Sequence, residues 1–385
     1  MAGKEVIDIV GAGPAGLAAA IVLRREGIAV RVSEKSPEVG HRLKGDFQGL
    51  ENWSCERDIL ETLKDIGIEL SFPCVPYYGG TVYAPEMEPV EVKSERPIFY
   101  LVRRGSMTGT LDAGLKEQAL ALGAEIRFNR RLEGAQGRTI VGTGPRGVDI
   151  LALGITFETS LPDRAAVAFD NRIAPKGYAY LLVNRGRGTM ATVLYREFRR
   201  AEEFFARTLR SFEEKIQLDV RNPRKFASFG NFFLRDTQVG DGRLYVGESA
   251  GFQDCLWGFG MRYAIISGYL AARSIIDGTH YDALWKRELK PMLETSLVNR
   301  YLFERFGHRG YRFLARRFAE GNPCGYLRQH YAPSLLKRVL LPLAARSYES
   351  RTKDTGFDRK SIPPAFSPGK KRDAPPIPVR SDHEG

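Results

Sequence analysis

Three glycines near the start of the chain, Gly11, Gly13 and Gly16, have the spacing of a phosphate-binding loop. An apolar run rich in β-branched residues precedes them and an alanine-rich helical pattern follows, so they lie at a predicted strand-to-helix turn. Gly11 permits the tight turn, Gly13 lets the backbone approach a pyrophosphate, and Gly16 lets the helix pack on the strand. The free N–H groups and the positive dipole of the helix N-terminus then favour phosphate.

An acidic residue follows the second predicted strand. The apolar run 28–32 ends just before Glu34, whose carboxylate can accept hydrogen bonds from ribose hydroxyls. Strand, glycines, helix, strand and acid follow one another in the order of a dinucleotide-binding unit. The sequence therefore predicts a nucleotide site, to which we also assign Ala15 and Lys35.

A second glycine-rich junction between a strand and a helix lies far along the chain, at residues 243–262. Two such junctions favour a ligand too long for one loop, and FAD fits, with its ADP half on the first loop and its flavin near the second. To the second junction we assign Gly247, Glu248, Gly258, Phe259, Gly260 and Met261. Between the junctions we assign Arg42, Arg104, Thr143 and Gly144 to the same cofactor.

The elements that must position these loops predict an α/β fold. We expect a Rossmann-like FAD-binding domain from residues 1–150 and 235–285, interrupted by a β-rich substrate domain at 151–234. A basic helical region at 286–350 follows, and then a tail at 351–385 that contains too little apolar material to fold.

The basic charge is concentrated near the C-terminus. The chain carries a net charge of +12, and residues 286–372 contain 20 Lys and Arg against 7 Asp and Glu, so this segment has a surplus of 20 − 7 = 13. Apolar residues at helical spacing with Arg and Lys between them suit either a helix on an anionic membrane surface or a helical cap packed on the core. Both interpretations stay open. No recognised motif supports binding of nucleic acid.

Cysteine usage and hydropathy limit the class of protein. The four cysteines form no C-x-x-C pair and no metal-ligand cluster, so no metal site and no disulfide framework are predicted. No apolar run has membrane-spanning length, and the nucleotide motif begins too early to follow a signal peptide. We expect a cytoplasmic protein, with peripheral association at the inner face of the membrane as one of the two interpretations of its basic region.

Several segments carry a family resemblance. Residues 11–34, 104–112, 143–145 and 246–260 resemble FAD-dependent oxidoreductases of the aromatic-hydroxylase type, and within that group the geranylgeranyl reductase family. That family pairs a G-D/E-A-A-G-x-x-x-P-x-x-G-x-G-I segment with a P-x-x-Y-x-W-x-F-P-like segment. The counterparts here begin at Gly247 and at Pro175, and the likeness covers roughly residues 5–280.

The resemblance implies reduction of isolated C=C bonds in a polyprenyl or related apolar lipid, with electrons delivered through FAD. This chain departs from the family pattern at two places, and both bear on the substrate. The family often has a cysteine beside the flavin where this chain reads residues 41–47 without one, and Tyr180 and Leu182 replace the W-x-F of the substrate motif. No second Gly-x-Gly-x-x-Gly segment marks a separate NADPH domain. The expected electron donor is therefore either NADPH, which would dock transiently, or a reduced ferredoxin.

Reduction of an unactivated alkene needs a proton donor and a dry pocket beside the flavin. Tyr178, Tyr180 and Cys255 are the candidate catalytic donors, although a strand Tyr commonly packs a wall and a free Cys is commonly a small buried apolar residue. Tyr178, Tyr180, Trp257 and Phe232 are the candidate substrate-binding residues, and Phe229, Phe233 and Phe259 could line the same channel.

Two further functions compete with the reductase interpretation. The first is a flavin monooxygenase or halogenase that acts on an aromatic or polyketide-like substrate. Hydroxylases of that type often carry an Asp-Gly pair midway along the chain, whereas Asp149 here precedes an isoleucine, and the W-x-W-x-I-P signature of halogenases is missing. The second is a non-catalytic prenyl-lipid carrier that retains FAD for structure.

Overall fold

The computed structural model describes residues 6–132, 138–232, 242–354 and 366. Its N-terminal part contains a five-stranded parallel sheet of order β15-β9-β1-β2-β8. These strands are β1 Val6–Val10, β2 Ala29–Ser33, β8 Glu125–Arg127, β9 Thr139–Val141 and β15 Arg243–Tyr245. Because β15 enters the sheet from far along the chain, the nucleotide-binding part is discontinuous, and the predicted Rossmann-like α/β fold class is confirmed.

Three helices share the hydrophobic core of this sheet: α1 Pro14–Arg25, α3 Leu111–Ala121 and α5 Met261–Ile276. Helix α1 starts with proline at its first position and buries an unbroken run from Ala15 to Leu23. It packs closely on α5, since a Cβ placed on Gly268 would lie 2.1 Å from the carbonyl oxygen of Ala15. The two glycine-rich junctions are therefore held against one another by direct helix packing.

A seven-stranded mixed sheet has the order β14-β10-β13-β12-β11-β5-β6. Its strands are β5 Gly79–Ala84, β6 Glu88–Lys93, β10 Ile150–Glu158, β11 Arg164–Ala168, β12 Tyr178–Asn184, β13 Arg187–Leu194 and β14 Arg221–Gly230. Strands β5 and β6 come from the part of the chain that we assigned to the FAD-binding domain, so this sheet is not confined to residues 151–234. The other predicted domain limits stay predictions.

A three-stranded antiparallel sheet lies between these two, with the order β3-β7-β4. It consists of β3 Phe47–Glu51, β4 Val75–Tyr77 and β7 Phe99–Arg103, and the short helix α2 Ile59–Asp65 follows β3. Helix α4, Ala201–Ile216, covers one face of the seven-stranded sheet with Phe204, Phe205 and Phe212. The opposite face of that sheet forms one wall of a cavity.

The basic C-terminal region is helical, as predicted. Helix α6, Tyr281–Glu288, crosses the predicted start of this region at residue 286. It is followed by α7 Lys290–Phe303, α8 His308–Ala319, α9 Pro323–Tyr331 and α10 Leu335–Asp354. Helices α7, α8 and α9 bury apolar residues against the rest of the protein, which fits the helical-cap interpretation for these three. Helix α10 runs four residues into the segment predicted as a tail, and residues 355–365 and 367–385 lie outside the described part. Among the described helices, none is long and apolar enough to cross a membrane.

Candidate active site

The three glycines of the first loop differ in their surroundings. Gly11 has φ +102°, and a Cβ there would lie 2.2 Å from the carbonyl oxygen of Gly142, while a Cβ on Gly16 would lie 2.0 Å from that of Gly11. Both glycines are thus required by backbone packing. A Cβ on Gly13 would meet no atom within 4 Å. Gly13 therefore faces open space, as a residue that lets a pyrophosphate approach must.

The Glu34 carboxylate is held beside this loop. One oxygen accepts a hydrogen bond from the backbone N–H of Ala12 at 2.9 Å, and the other accepts one from Ser36 at 2.8 Å. Each carboxylate oxygen has a second lone pair, so the group can still accept hydrogen bonds from ribose hydroxyls. Its position at the end of β2 is the one that the sequence predicts.

A cavity of about 490 Å³ runs from this loop to the seven-stranded sheet, a size within the range of ordinary ligand sites. Fourteen of the predicted cofactor residues line it. They are Gly13, Ala15, Glu34, Lys35, Arg42, Arg104, Thr143, Gly144, Gly247, Glu248, Gly258, Phe259, Gly260 and Met261. The other two, Gly11 and Gly16, do not line the cavity, and their close backbone contacts shape the loop itself.

Arg104 is held in the cavity wall by a buried ion pair. Its Nε and Nη2 donate to the two carboxylate oxygens of Asp112, each at 2.9 Å, and its Nη1 donates to the Oε1 of Gln48 at 3.1 Å. Asp112 also accepts from the backbone N–H of Gly105 at 2.9 Å. Such a bidentate pair fixes the guanidinium plane, so Arg104 gives this wall a rigid shape.

The far half of the cavity is built on one face of the seven-stranded sheet. Because side chains alternate along a strand, every second residue of its central strands points into the cavity. These residues are Ile150 and Ala152 of β10, Tyr178, Tyr180 and Leu182 of β12, Val193 of β13, and Phe226 and Ser228 of β14. On β11, Val167 pairs with Tyr180 and also lines the cavity. This half is mainly apolar, and tyrosine hydroxyls are among its few polar groups.

Residues that the sequence analysis missed complete the far end. Phe318 of α8 and Pro323 and Leu327 of α9 line the cavity, as do Trp53 and Phe99. The apolar residues of α8 lie in the region whose helical spacing the sequence shows, but nothing in that spacing indicates which surface they contact. The C-terminal helices therefore contribute to the candidate substrate pocket itself.

The structure brings three of the five predicted catalytic or substrate residues to the cavity. Tyr178, Tyr180 and Trp257 line it. Cys255 and Phe232 do not: they are 1% and 4% exposed and belong to a buried apolar cluster that also contains the wall residues Ile150 and Val193. Burial raises the pKa of the Cys255 thiol well above its usual range. This placement argues against Cys255 as a proton donor and against Phe232 as a substrate contact, and Phe233 lies outside the described residues.

The loop 254–260, which carries Trp257 and Phe259, is fixed by groups from three directions. The Tyr178 hydroxyl donates to the Trp257 carbonyl, and the Tyr195 hydroxyl donates to that of Leu256 at 3.0 Å. From α7, the fully buried Arg300 donates to the Leu256 carbonyl at 3.1 Å and lies 3.6 Å from the Tyr195 ring centre. The sequence analysis missed Arg300, because an arginine in a basic region carries no signal of burial.

Asp254 holds the same loop from within. Its carboxylate accepts hydrogen bonds from the Trp257 N–H and from the Tyr331 hydroxyl of α9, both at 2.7 Å. Burial raises the pKa of Asp254 to about 6, although these two hydrogen bonds oppose the shift. The folded protein therefore holds this proton more tightly than the unfolded chain, in which a carboxyl group titrates near pH ~4.

The raised pKa of Asp254 predicts a pH-dependent contribution to folding. The contribution is fully present below about pH 4 and is lost as the pH rises through about 6. We expect the unfolding free energy of the native protein minus that of Asp254→Asn to fall across this window, as measured by urea denaturation at a series of pH values. Any loss of the Tyr331 contact adds a constant offset, so a difference independent of pH would contradict the assignment.

These features together fit an extended dinucleotide such as FAD. The open space at Gly13 and the carboxylate of Glu34 suit the pyrophosphate and a ribose. The cavity then continues past Arg104 and Glu248 to the second junction, where Gly258 and Phe259 meet the apolar half. A flavin bound there would lie between the nucleotide loop and the tyrosines of β12.

Comparisons with known proteins support this fold. A model of the NAD(P)-binding Rossmann-like domain matches residues 9–47. Among solved structures, a geranylgeranyl bacteriochlorophyll reductase-like protein from Thermoplasma acidophilum is similar with a TM-score of 0.65 and 17% identity, covering 90% of this chain and 100% of that one. A flavin-dependent brominase is similar with a TM-score of 0.61 and 14% identity, covering 90% and 99%. The fold is that of the FAD-binding flavoprotein oxidoreductases.

Two proteins that are similar in sequence are named as reductases. The chain is 29% identical over 160 residues to the digeranylgeranylglycerophospholipid reductase of Methanosarcina acetivorans, and 27% identical over 161 residues to that of Methanosarcina mazei. The alignments cover 40% and 41% of this chain but span only 36% of the length of either relative. The resemblance to geranylgeranyl-type reductases is thereby confirmed as a resemblance.

Proposed function

We propose that the protein is an FAD-dependent reductase of C=C double bonds in a polyprenyl lipid or a related apolar substrate. The observation that carries this proposal is the continuity of the cavity, which joins a phosphate-binding loop at one end to an apolar half at the other. We call this apolar half, which is built on the seven-stranded sheet, the chamber. The names of the similar reductases support the same substrate class. A charged or strongly polar substrate would find few partners on the sheet face that forms the chamber.

The shape of the chamber suits a long aliphatic chain. Its walls come from one face of the seven-stranded sheet, from Trp257 and Phe259 of the anchored loop, and from Phe318 and Leu327 of the C-terminal helices. Apolar walls exclude water and gain roughly 25 cal/mol for each Å² of apolar surface that they bury. Transfer of a prenyl chain into this chamber would therefore supply the binding free energy that positions the double bond.

The chemistry requires a hydride for one alkene carbon and a proton for the other. Bound FAD in its reduced form would supply the hydride and be left oxidised. The chain must supply the proton, and Tyr180 is the better placed donor, because the Tyr178 hydroxyl is already hydrogen-bonded to the Trp257 carbonyl. Burial raises the pKa of Tyr180 well above its usual range, so the hydroxyl keeps its proton at physiological pH.

The electron donor that restores the reduced flavin is proposed to be NADPH or a reduced ferredoxin. Residues 142–147 repeat the Gly-x-Gly-x-x-Gly spacing, but strand β10 begins at Ile150 and no helix follows the glycines, so this segment lacks the helix N-terminus of a second dinucleotide site. A nicotinamide would have to dock on the flavin site from outside, and the basic C-terminal region would suit an acidic ferredoxin.

Substitution of Val167 tests the chamber. Val167 lies beside Tyr180 on the cavity face. In the variant Val167→Trp, the larger indole side chain would therefore fill part of the chamber that the substrate would occupy. We expect kcat/KM for a polyprenyl substrate to fall about tenfold or more, as for loss of one well-packed apolar group, while the flavin content stays unchanged. Turnover is followed by mass spectrometry as the gain of two hydrogens. Val167→Ala is the matched control, and equal activity of both variants would contradict the proposed chamber.

A further inference from the structure

Helix α10 presents an apolar face to solvent. Four of the five most exposed large apolar side chains in the described part of the protein lie on it: Leu335 at 79%, Val339 at 71%, Leu336 at 66% and Leu343 at 53%. Leu335, Val339 and Leu343 are four residues apart, and this spacing places them on one side of the helix. We call Leu335, Leu336, Val339 and Leu343 the outer face of α10.

The opposite side of α10 fixes how the outer face is presented. Ala344 is fully buried, and Leu340, Leu341 and Tyr348 pack with it on a cluster that includes Leu297 and Val298 of α7. The Lys337 ammonium group donates to the Ala332 carbonyl at 2.8 Å and to the His330 carbonyl, which ties the start of α10 to the end of α9. The outer face is therefore held outward by packing on a folded core.

The charged side chains of α10 between Leu335 and Tyr348 are all positive. Arg338 and Arg346 are exposed and follow Leu335 and Leu343 by three residues, which places them beside the apolar side chains. From Leu335 to Tyr348 the helix contains no acidic residue. An apolar stripe flanked by arginines has the two features that hold a helix in the interface of an anionic bilayer, namely burial of apolar side chains and attraction to acidic headgroups.

We propose that the outer face of α10 binds the surface of an anionic lipid bilayer. A second copy of this chain is a poorer occupant, because two identical faces in contact would bring Arg338 and Arg346 of both copies together without an acid on either face. The headgroups of an anionic bilayer supply the missing negative charge. The proposal stands apart from the reductase function, since it rests on residues outside the cavity.

The experiment is co-sedimentation of the full-length, flavin-loaded protein with lipid vesicles. One set contains phosphatidylcholine and phosphatidylglycerol in equal parts, and the other contains phosphatidylcholine alone. Three variants are compared with the native protein: Leu335→Gln/Val339→Gln/Leu343→Gln, Arg338→Gln/Arg346→Gln, and a control, Leu70→Gln/Leu120→Gln, which removes two exposed leucines elsewhere. The flavin spectrum and the melting temperature confirm that each variant is folded.

We expect the native protein to bind the mixed vesicles and the control variant to bind as well as the native protein does. The triple variant should lose about tenfold or more in partitioning to the mixed vesicles, because three apolar side chains no longer enter the bilayer. The arginine variant should lose about tenfold on mixed vesicles and little on neutral ones. Failure of the native protein to bind, or unchanged binding by the triple variant, overturns the proposal. So does a native dimer without vesicle binding that the triple variant converts to a monomer.

Discussion

Gly13→Val is expected to yield a folded protein that contains no flavin. A Cβ at Gly13 would meet no protein atom within 4 Å, and the residue has φ −82°, which any side chain tolerates, so we expect the fold to survive. The valine side chain would stand where a pyrophosphate must approach the backbone, and it would displace the phosphates from the helix N-terminus. The purified variant should lack the yellow absorbance of the native protein while its melting curve stays cooperative.

Gly11→Ala is the matched control, because it changes the same loop through a different physical effect. The Cβ would lie 2.2 Å from the Gly142 carbonyl oxygen at a residue with φ +102°, so the substitution strains the backbone and separates β1 from the neighbouring segment. We expect this variant to lose stability rather than to lose only the cofactor. A fully flavin-loaded Gly13→Val protein would contradict the assignment of the loop.

Tyr180→Phe is expected to lower kcat for alkene reduction about a hundredfold or more. Loss of a positioned general acid has an effect of this order, and phenylalanine preserves the ring that packs the cavity wall. The flavin content and the rate at which the donor reduces the flavin should be unchanged, because neither depends on the phenolic proton. The rates are measured separately, by single-turnover reoxidation of the flavin with substrate and by its reduction with donor.

Tyr178→Phe separates proton donation from loop positioning. This variant removes the hydrogen bond to the Trp257 carbonyl and leaves Tyr180 in place. We expect a change mainly in KM, because Trp257 belongs to the chamber wall and its loop retains the Tyr195, Arg300 and Asp254 contacts. If kcat falls more in Tyr178→Phe than in Tyr180→Phe, the two tyrosines have been assigned the wrong roles.

Local patterns were enough to predict the nucleotide end of the site. The glycine spacing at residues 11–16 and the second junction at 247–261 each encode a backbone conformation within a short stretch of chain, and Glu34 follows a predicted strand directly. Such signals are readable without tertiary contacts, since a positive φ or a close backbone approach constrains the residue type directly. The predicted cofactor residues accordingly line one cavity or pack directly behind it.

The substrate end depends on contacts between distant segments, and there the sequence was less informative. Pairing of β11 with β5 brings residues 79–82 to the chamber, and α8 and α9 close it from beyond residue 307. Cys255 lies two residues before Trp257, yet its N–H donates to the Ser296 hydroxyl at 3.0 Å and its buried side chain does not line the cavity. Neither relation follows from hydrophobic periodicity, which indicates a buried face but not its partner.

The most direct test of the reductase function is an anaerobic half-reaction. The purified protein is reduced chemically, mixed with geranylgeranyl diphosphate or an unsaturated ether lipid, and followed at the absorbance band of oxidised flavin. We predict that the band returns without oxygen and that the lipid gains two hydrogens. Return of the band only after oxygen is admitted, with the lipid unchanged, would contradict the reductase function and favour a monooxygenase or halogenase.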